Sequence, residues 1–459
     1  MRRRFLAICG SAGSTDQPRL ERAFALALGH EGLEPLVVSD ALNVVADADC
    51  PRHIFPGGRG CAVGRLFRSD DWSTVPGTLS RDEATRLWHR GPAELLTRYW
   101  GGYAAFAATE SAAGYVLRDP SGVFPIYSIG GLGAAVFVSD AALARELGLL
   151  EGRVDWDRVA EGLLLPDLRL SSTALRDCAE LLPGEAIDFK GSPCAAAWTP
   201  ADHVHRGAGW DVHESAARLR DTIQRSIGAW ARDRRRIVLE LSGGLDSSII
   251  AACLARSGAD LTCLTMATPT PDGDERTHAR AVAHHLGVPL MERFYDPAAI
   301  DFRKSSSARL PRPSGAAFAQ ASDAALLAAA AEIGADCFFN GGGGDNVFCS
   351  IASATPAIDR LLARGPGPSF VRALADVAAI HHTTFWHAAG AALRNALGRS
   401  SSPWPIDRRL LAPALVPEPV AARHPWLAAG QRLPPGKYRH VQSILAIHNH
   451  LEGHDRGER

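Results

Sequence analysis

Apolar residues in the second half of the chain follow two periodicities that alternate along the sequence. Short apolar runs predict strands, at 237–241, 261–266, 289–294 and 336–340. Longer stretches before and between these runs predict helices, at 212–230, 247–256, 274–286 and 315–333, and the last of these is rich in alanine, as in a buried helix. Strands that alternate with helices are typical of a parallel sheet covered by helices, and such sheets bind ligands at the carboxyl ends of their strands.

The first 200 residues have a different pattern, in which short apolar runs are interrupted by Gly, Pro and Asp. These runs predict short strands, at 5–9, 35–39, 103–108, 114–117 and 134–138. We expect a mixed sheet domain with few long helices here, followed by a helix at 154–164. The polar stretch 198–208 has no strong periodicity, so the change of pattern predicts a domain boundary near residue 205.

The composition predicts a globular protein of two domains, because the chain has 459 residues, of which 46% are hydrophobic and 22% charged. Lys and Arg (49) nearly balance Asp and Glu (50), so we expect no binding to nucleic acid or to an anionic membrane surface. No apolar run reaches the roughly 20 residues of a membrane span, and the run at 5–9 is too short for a signal peptide. The nine cysteines never form a CxxC pair, which predicts reduced core thiols in a cytoplasmic protein.

A glycine-rich turn joins the first predicted strand of the parallel sheet to the helix after it. Residues 242–248 read Ser-Gly-Gly-Leu-Asp-Ser-Ser. Glycines let the backbone approach an anion, the free amides and dipole at a helix start favour phosphate, and the serine hydroxyls add donors. The turn is not a Walker loop, which has Lys and then Ser or Thr after its second glycine. Asp246 would repel bare phosphates, so its position predicts Mg²⁺ between the two.

A second glycine-rich segment comes after the predicted strand at 336–340. It reads Asn-Gly-Gly-Gly-Gly-Asp-Asn from 340 to 346. A flexible linker is not expected directly behind a buried strand, and carboxyl ends of parallel strands share one edge of the sheet. Both glycine-rich segments are therefore predicted to lie on the ligand side.

Together these segments resemble the asparagine synthetase family, in which Ser-Gly-Gly-Leu-Asp-Ser-Ser is the pyrophosphate-binding loop of an adenylate-forming domain. Most of the chain is similar to the two-domain α/β organisation of that family. The resemblance implies a degenerate class II glutamine amidotransferase-like domain of the Ntn αββα type, without its nucleophile, over residues 1–205. It also implies a PP-loop ATP pyrophosphatase domain with a parallel sheet over residues 206–459, and ATP and Mg²⁺ as cofactors.

The resemblance implies a role for each matching position. Asp246 and Asp345 would be catalytic and would bind magnesium, whereas Leu241, Thr265 and Met266 would border the adenine and ribose. The other cofactor-binding residues that it implies are Ser242, Gly243, Gly244, Ser247, Ser248, Asn340 and Gly341. A weaker match is Pro-Asp-Gly-Asp-Glu-Arg at 271–276.

The N-terminal half departs from the glutamine-hydrolysing members of the family. Those members begin with Cys, whose free α-amine helps to activate the thiolate, but residue 2 is Arg and Cys9 lies inside an apolar run. The segments at 100–106 and 118–127 still resemble the amidotransferase shell, yet Gly102 stands where an acidic residue would hold the ammonium of glutamine. We expect no glutaminase activity.

The second glycine loop departs from the family as well, because Gly342 replaces a glutamate and Asn346 replaces the final acid. A member that forms amides without glutamine must use an amine of its own substrate, as β-lactam synthetases and lasso peptide macrolactam cyclases do. The four glycines at 341–344 and Leu-Pro-Pro-Gly-Lys-Tyr-Arg-His-Val at 433–441 are more similar to the cyclases. The second of these segments is equally compatible with a simple Pro-Gly turn before a helix.

We therefore expect ATP-dependent isopeptide bond formation in a lasso peptide, in which an Asp or Glu side chain is adenylated and the peptide's N-terminal amine closes the ring. The implied partners are a precursor peptide as substrate, a leader-peptide-binding protein and a leader peptidase. Two alternatives stay open. One is an ammonia-dependent asparagine synthetase-like enzyme, which the altered second loop disfavours, and the other is a non-catalytic protein that binds ATP and peptide.

The C-terminal region leads to three further predictions. Related enzymes continue well beyond the position of Arg459 and carry a lysine that faces the charge of the adenylate, so we expect a truncated synthetase domain with Lys437 as the candidate for that role. His448, His450 and His454 lack a Cys or carboxylate partner at ligand spacing, which favours a structural role over a metal site. The basic segment 303–315 either borders a peptide groove or forms a mobile loop.

Overall fold

The computed structural model describes residues 4–10, 14, 16–108, 114–166, 168–194, 198–205, 209–268, 273–305, 309–313, 315–348, 353–396, 404, 406–415 and 424–448. The elements of its first half are, in chain order, β1 (Phe5–Cys9), α1 (Gln17–Leu28), β2 (Leu33–Val38), β3 (Leu42–Asp47), β4 (Arg52–Phe55), β5 (Gly60–Arg68), α2 (Arg81–Arg90), α3 (Pro92–Arg98), β6 (Tyr99–Ala108), β7 (Gly114–Arg118), β8 (Tyr127–Ile129), β9 (Ala135–Val138), α4 (Ala141–Glu146), α5 (Trp156–Leu164), β10 (Cys178–Glu180) and β11 (Ala186–Asp188).

These strands form two sheets, with the orders β10-β8-β9-β1-β3-β2 and β11-β7-β6-β5-β4. Every pairing within them is antiparallel. The sheets pack face to face through a shared apolar core, where the rings of Phe5 and Phe106 lie 5.4 Å apart between centroids. Helices α1 and α4 cover the outer face of the first sheet, and α2 and α3 cover that of the second.

The structure thus has the αββα layers that the resemblance implies. The expectation of a mixed sheet was wrong, because the described strands of this half form two sheets that are both antiparallel. The outer helices α1 and α2 have 12 and 10 residues. Both sheets are covered on both faces, so strands such as β1, β5 and β6 are buried on both sides and their sequences do not reveal which sheet each strand joins.

The second half begins with α6 (Val212–Ala231) and continues with β12 (Ile237–Glu240), α7 (Leu245–Arg256), β13 (Leu261–Ala267), α8 (Arg276–Leu286), β14 (Leu290–Phe294), α9 (Gln320–Ile333), β15 (Cys337–Phe339), α10 (Gly344–Val347), α11 (Thr355–Arg364), α12 (Pro368–Ile380), α13 (Phe385–Ala396), α14 (Pro425–Gly430) and α15 (Pro435–Ala446). Strands β14-β13-β12-β15 form one sheet in this order, and all its pairings are parallel. Helices α7 and α8 pack on one face and α9 packs on the other. The predicted alternation of strand and helix is confirmed, except that 315–319 is a 3₁₀ segment before α9.

The C-terminal helices connect the two halves of the chain. Helices α11, α12 and α13 pack around a core of their own. Trp426 of α14 and Leu445 of α15 instead share an apolar cluster with Leu165 and Leu168 of the first half. This cluster places α15 between the first half and the loop that precedes α10.

Two sequence expectations about composition can be compared with the described residues. Six of the cysteines there are buried, and none is in a disulfide. No described helix is both long enough and apolar enough to cross a bilayer.

Candidate nucleotide site

The first glycine loop lies at the carboxyl edge of the parallel sheet, as its position after β12 predicts. The amide of Leu241 still pairs with the carbonyl oxygen of Leu264 at 2.8 Å, and the chain then turns through Gly243 at φ +82°. The hydroxyl of Ser242 accepts from the amide of Gly244 at 3.1 Å and lies 3.0 Å from the hydroxyl of Ser247. The two serines thus hold the turn closed and direct it into α7.

Gly243 is required by its surroundings as well as by its backbone angle. A Cβ atom there would lie 2.5 Å from backbone and side-chain carbons of His278 and 2.7 Å from the amide nitrogen of Ala279. No side chain fits at these distances, so the loop packs directly against the first turn of α8.

The start of α7 presents an anion-binding surface. Within the described part of the chain, the amides of Leu245, Asp246 and Ser247 have no acceptor, which is the usual state of the first turn of a helix. A helix of twelve residues adds the positive end of its dipole at this point. The hydroxyl of Ser248 is buried and has no partner among the described residues. The loop therefore has the donors that a pyrophosphate group needs.

The second glycine loop lies against the first. The side-chain oxygen of Asn340 accepts from the amide of Gly342 at 2.9 Å, and the chain reverses through Gly343 at φ +91°. A Cβ at Gly341 would lie 2.9 Å from the amide nitrogen of Ser247, and one at Gly344 would lie 2.3 Å from the carboxyl carbon of Asp246. Glycine is thus necessary at both positions for the two loops to meet.

Asp246 and Asp345 are therefore brought to one junction, since Asp345 directly follows the glycine that contacts the Asp246 carboxylate. Neither carboxylate has an ion pair or hydrogen bond among the described residues. Mg²⁺ prefers oxygen ligands and is usually held by one or two carboxylates together with waters and substrate phosphates. The pair fits Mg²⁺ on this chemistry, and no group of three or more metal-binding side chains occurs in the described ranges.

The residues predicted to border the nucleoside lie on the same edge. Leu241 directly follows β12, while Thr265 and Met266 are near the carboxyl end of β13, the neighbouring strand. In the weaker match at 271–276, residues 271 and 272 lie outside the described residues. The carboxylate of Asp274 binds Arg276 in a two-pronged pair at 2.8 and 2.6 Å, and this partner lowers the pKa of Asp274 to about 2. Asp274 is thus paired with Arg276, the first residue of α8.

Helix α15 contacts the second glycine loop and the short helix α10 that follows it. The side-chain amide of Asn346 donates to the carbonyl oxygen of Ser443 at 3.0 Å, and the ring of His440 lies 2.9 Å from the carbonyl oxygen of Val347. The side chain of Ile447 lies beside Gly343, 3.6 Å from where a Cβ of this residue would be. These contacts were not expected from the sequence, because no local pattern relates positions about one hundred residues apart.

Lys437 occupies the first turn of α15, away from those contacts. Its backbone amide and that of Gly436 donate to the carboxylate of Asp359 at 2.9 and 2.7 Å, and its side chain is exposed. Among the described residues, no hydrogen bond or ion pair joins the Lys437 ammonium to either glycine loop. Its assignment to the adenylate therefore stays a prediction.

Cys9 and Gly102, the two N-terminal positions that bear on glutamine hydrolysis, are both enclosed by other residues. Cys9 is fully buried in β1, and burial, with a smaller contribution from Cys61, raises the pKa of its thiol well above the usual value. A Cβ at Gly102 would lie 3.1 Å from Val123 and 3.3 Å from Trp230 of α6. The space beside Gly102 is thus occupied by a helix from the second half of the chain.

The two remaining sequence expectations concern basic residues. His448 is buried, and its carbonyl oxygen accepts from Arg169 at 3.1 Å, so it is a core residue as expected. His450 and His454 lie outside the described residues. Within segment 303–315, Arg312 is drawn inward and pairs with the buried carboxylate of Glu180.

A parallel sheet with a non-Walker phosphate loop, met by a second glycine loop that brings an aspartate, defines an α/β nucleotide-binding protein. Residues 218–447, which make up half of the chain, match the family model described as asparagine synthase. The chain belongs to the asparagine synthase family. At the level of this family, its activity is ATP-dependent amide formation, for which members use ATP and Mg²⁺.

Two solved structures are also similar to this chain. One is the glutamine phosphoribosylpyrophosphate amidotransferase from B. subtilis in complex with ADP and GMP, with 12% identity, a TM-score of 0.26, and coverage of 68% of this chain and 69% of that one. The other is described as the allosteric regulatory enzyme of purine biosynthesis, with 12% identity, a TM-score of 0.26, and coverage of 73% and 89%. These scores are too low to support a shared fold, so the αββα description rests on the sheets themselves.

Proposed function

We propose that this chain is a lasso peptide macrolactam synthetase, which adenylates an Asp or Glu side chain of a peptide and joins it to the peptide's own N-terminal amine. The observation that carries the proposal is the packing at Gly102. Val123 and Trp230 fill the space into which a side chain at this position would extend. An enzyme of this family without a glutamine site needs another amine.

The surroundings of Cys9 support the same conclusion. A nucleophilic cysteine needs an accessible thiolate, whereas the Cys9 thiol is buried and its pKa is raised by that burial. Ammonia produced in the first half of the chain is therefore not the expected nucleophile. An amine carried by the acyl substrate itself fits the remaining chemistry.

The second glycine loop supports a substrate other than aspartate. Gly342 and Asn346 stand where the family resemblance places acids, and Asn346 is engaged with the carbonyl oxygen of Ser443. Two negative charges are thus absent from the acyl side of the site. A peptide that brings its own carboxylate and amine no longer needs acids to bind a free amino acid's ammonium group.

In the first step, a carboxylate oxygen of the peptide attacks the α-phosphorus of ATP. The bond from this phosphorus to the bridging oxygen breaks, and pyrophosphate leaves with the electron pair. The amides of Leu245, Asp246 and Ser247 bind the leaving group at the start of α7. Asp246 and Asp345 would hold Mg²⁺, which neutralises phosphate charge when it is bound.

In the second step, the neutral N-terminal amine of the same peptide attacks the acyl carbon, and AMP leaves. One proton is lost from the nitrogen as the amide forms. The loops hold both reacting ends of a single molecule, so the reaction is intramolecular, and orientation supplies a large part of the rate enhancement.

The proposal includes further parts that rest on the family resemblance. Residues 1–205 would form the amidotransferase-like domain and residues 206–459 the synthetase domain, with Lys437 near the adenylate. The protein would act in the cytoplasm with a leader-peptide-binding protein and a leader peptidase, which together deliver a precursor peptide with a free amine.

The test uses purified protein, ATP, Mg²⁺ and linear peptides that have a free N-terminal amine and an internal Asp or Glu. We expect AMP and pyrophosphate in equal amounts and a peptide lighter by one water. An acetylated N-terminus on the same peptide is the matched control, and it should block ring closure but not adenylation. Aspartate- and ammonia-dependent pyrophosphate release would favour the ammonia-dependent synthetase instead, and thermal stabilisation by ATP without turnover would favour a binding protein.

A further inference from the structure

A buried charge cluster joins the first half of the chain to the second. The carboxylate of Glu180, at the end of β10, is fully buried and binds the guanidinium of Arg118 at 2.6 Å and that of Arg169 at 2.9 Å. Arg312, from the segment after β14, also pairs with it. Glu180 therefore connects both sheets of the first half to a segment of the second.

Burial alone would raise the pKa of Glu180, but attraction from Arg169, Arg312 and Arg118 lowers it well below its usual range. Glu180 thus stays ionised in an interior where an unpaired charge is costly. All three arginines share the Glu180 carboxylate, and Arg118 also donates to the carbonyl oxygens of Leu181 and Gly122, both at 2.7 Å.

Arg169 and the segment of Arg312 also form hydrogen bonds that fix other elements to the cluster. Arg169 also donates to the carbonyl oxygen of His448 at 3.1 Å, and His448 is the second residue after α15. Beside Arg312, the carbonyl oxygen of Pro311 accepts from the amide of Ala174 at 2.8 Å. The end of α15 and the segment 309–313 are therefore both fixed to the first half of the chain.

Helix α15 passes this constraint to the second glycine loop. A Cβ at Gly343 would lie 3.6 Å from the side chain of Ile447, the residue before His448, so Ile447 lies beside this loop. The carbonyl oxygen of Ser443 accepts from the side chain of Asn346. The chain of contacts thus runs from Glu180 through Arg169 and α15 to the loop that presents Asp345. Each link is a contact between buried or partly buried groups.

We propose that Glu180 and Arg169 are positioning residues for amide formation, and that the first half of the chain uses them to hold α15 and the second glycine loop in place. This gives the first half a role that needs no glutaminase chemistry. The effect on rate rests on the proposed function, whereas the effect on loop rigidity does not.

Two variants and a matched control test the proposal. Arg169→Met removes the bond to His448 but leaves Glu180 paired with Arg118 and Arg312, so this variant is expected to fold. Glu180→Gln removes the centre of the cluster. Asp47→Asn breaks a different buried ion pair, with Arg4 at 2.9 Å, and serves as the control for general destabilisation.

Hydrogen–deuterium exchange with ATP and Mg²⁺ reports on segments 340–348 and 435–448 in each protein. We expect faster exchange in both segments for Arg169→Met and no change there for Asp47→Asn. Peptide-dependent AMP formation should show kcat reduced by about tenfold to a hundredfold, as for a small misplacement of reacting groups, with KM for ATP nearly unchanged.

Unchanged exchange at 340–348 in Arg169→Met would overturn the proposal, as would an equal increase in Asp47→Asn. If Glu180→Gln does not fold, the comparison of Arg169→Met with Asp47→Asn still tests the proposal. Absence of ligase turnover in the wild-type protein would reject the proposed function but not the exchange result, so the two failures can be told apart.

Discussion

Gly344→Ala tests whether contact between the two glycine loops is needed for catalysis. The new Cβ would lie 2.3 Å from the carboxyl carbon and Oδ2 of Asp246, which is about 1 Å short of an ordinary van der Waals separation. The Asp246 carboxylate or the second loop must therefore move by about this amount. A 1 Å misplacement in an active site can cost about a hundredfold in rate, or roughly 2.7 kcal/mol of activation free energy.

The fold itself should tolerate this substitution, because Gly344 begins a short helix with a backbone conformation, without positive φ, that alanine also adopts. The matched control is Gly342→Ala in the same loop, whose Cβ would lie 3.0 Å from the Asn340 side-chain oxygen and would not contact Asp246. Pyrophosphate release is measured at several Mg²⁺ concentrations, and thermal unfolding is followed in parallel. Wild-type rate and Mg²⁺ dependence in Gly344→Ala would refute the reasoning.

Three further predictions concern Asp345, Cys9 and His424. Asp345→Asn should lower AMP formation by at least about a hundredfold in a steady-state assay, since a metal ion contributes several kcal/mol to such steps, and an unchanged rate would contradict the assignment. Cys9→Ala should leave amide formation intact and lower the unfolding free energy by about 1 kcal/mol in a denaturant titration, because it removes a buried side chain without catalytic function. Burial lowers the pKa of His424 to about 4, so the unfolded chain binds a proton between pH 6.5 and 4 that the folded chain does not, and stability should fall as pH drops through this range. At pH 5 the loss is about 2 kcal/mol, and His424→Asn, which keeps an acceptor for the Trp426 amide, should show a weaker pH dependence in chemical denaturation.

The parallel sheet and its loops are predictable from the sequence because local rules determine them. Strands buried on both faces read as apolar runs, and the loops that leave the carboxyl ends of such strands all lie at one edge of the sheet. That rule places residues 242–248 and 340–346 together, and the structure adds the close approach of Gly344 to Asp246 that requires glycine there.

The arrangement of the first half is less predictable. Strand β5 is buried along nearly all its length, so it shows no alternation that would assign it to one sheet or the other. Helix α1 buries Leu20, Ala23 and Ala27, but Leu26 and Leu28 are apolar and exposed, which obscures the helical period of the buried positions. The resemblance to a family supplied the four layers that the apolar pattern does not.

Contacts between distant segments are not visible in the sequence at all. Arg169 and His448 are 279 residues apart, and Arg312 and Glu180 are 132 apart. An arginine on a basic segment reads as a surface residue, and only the folded chain reveals the buried carboxylate that pairs with Arg312. The hydrogen bond from Asn346 that joins the second glycine loop to α15 is likewise a contact between distant segments that the sequence does not reveal.

The most direct test of the central claim traces oxygen from the acyl substrate. A peptide with ¹⁸O in its Asp or Glu carboxylate is incubated with the protein, ATP and Mg²⁺, and the nucleotide product is analysed by mass spectrometry. If the carboxylate is adenylated and then captured by the peptide's own amine, the AMP carries one ¹⁸O atom and the peptide loses one water. ADP as the product, or AMP without the label, would contradict the account.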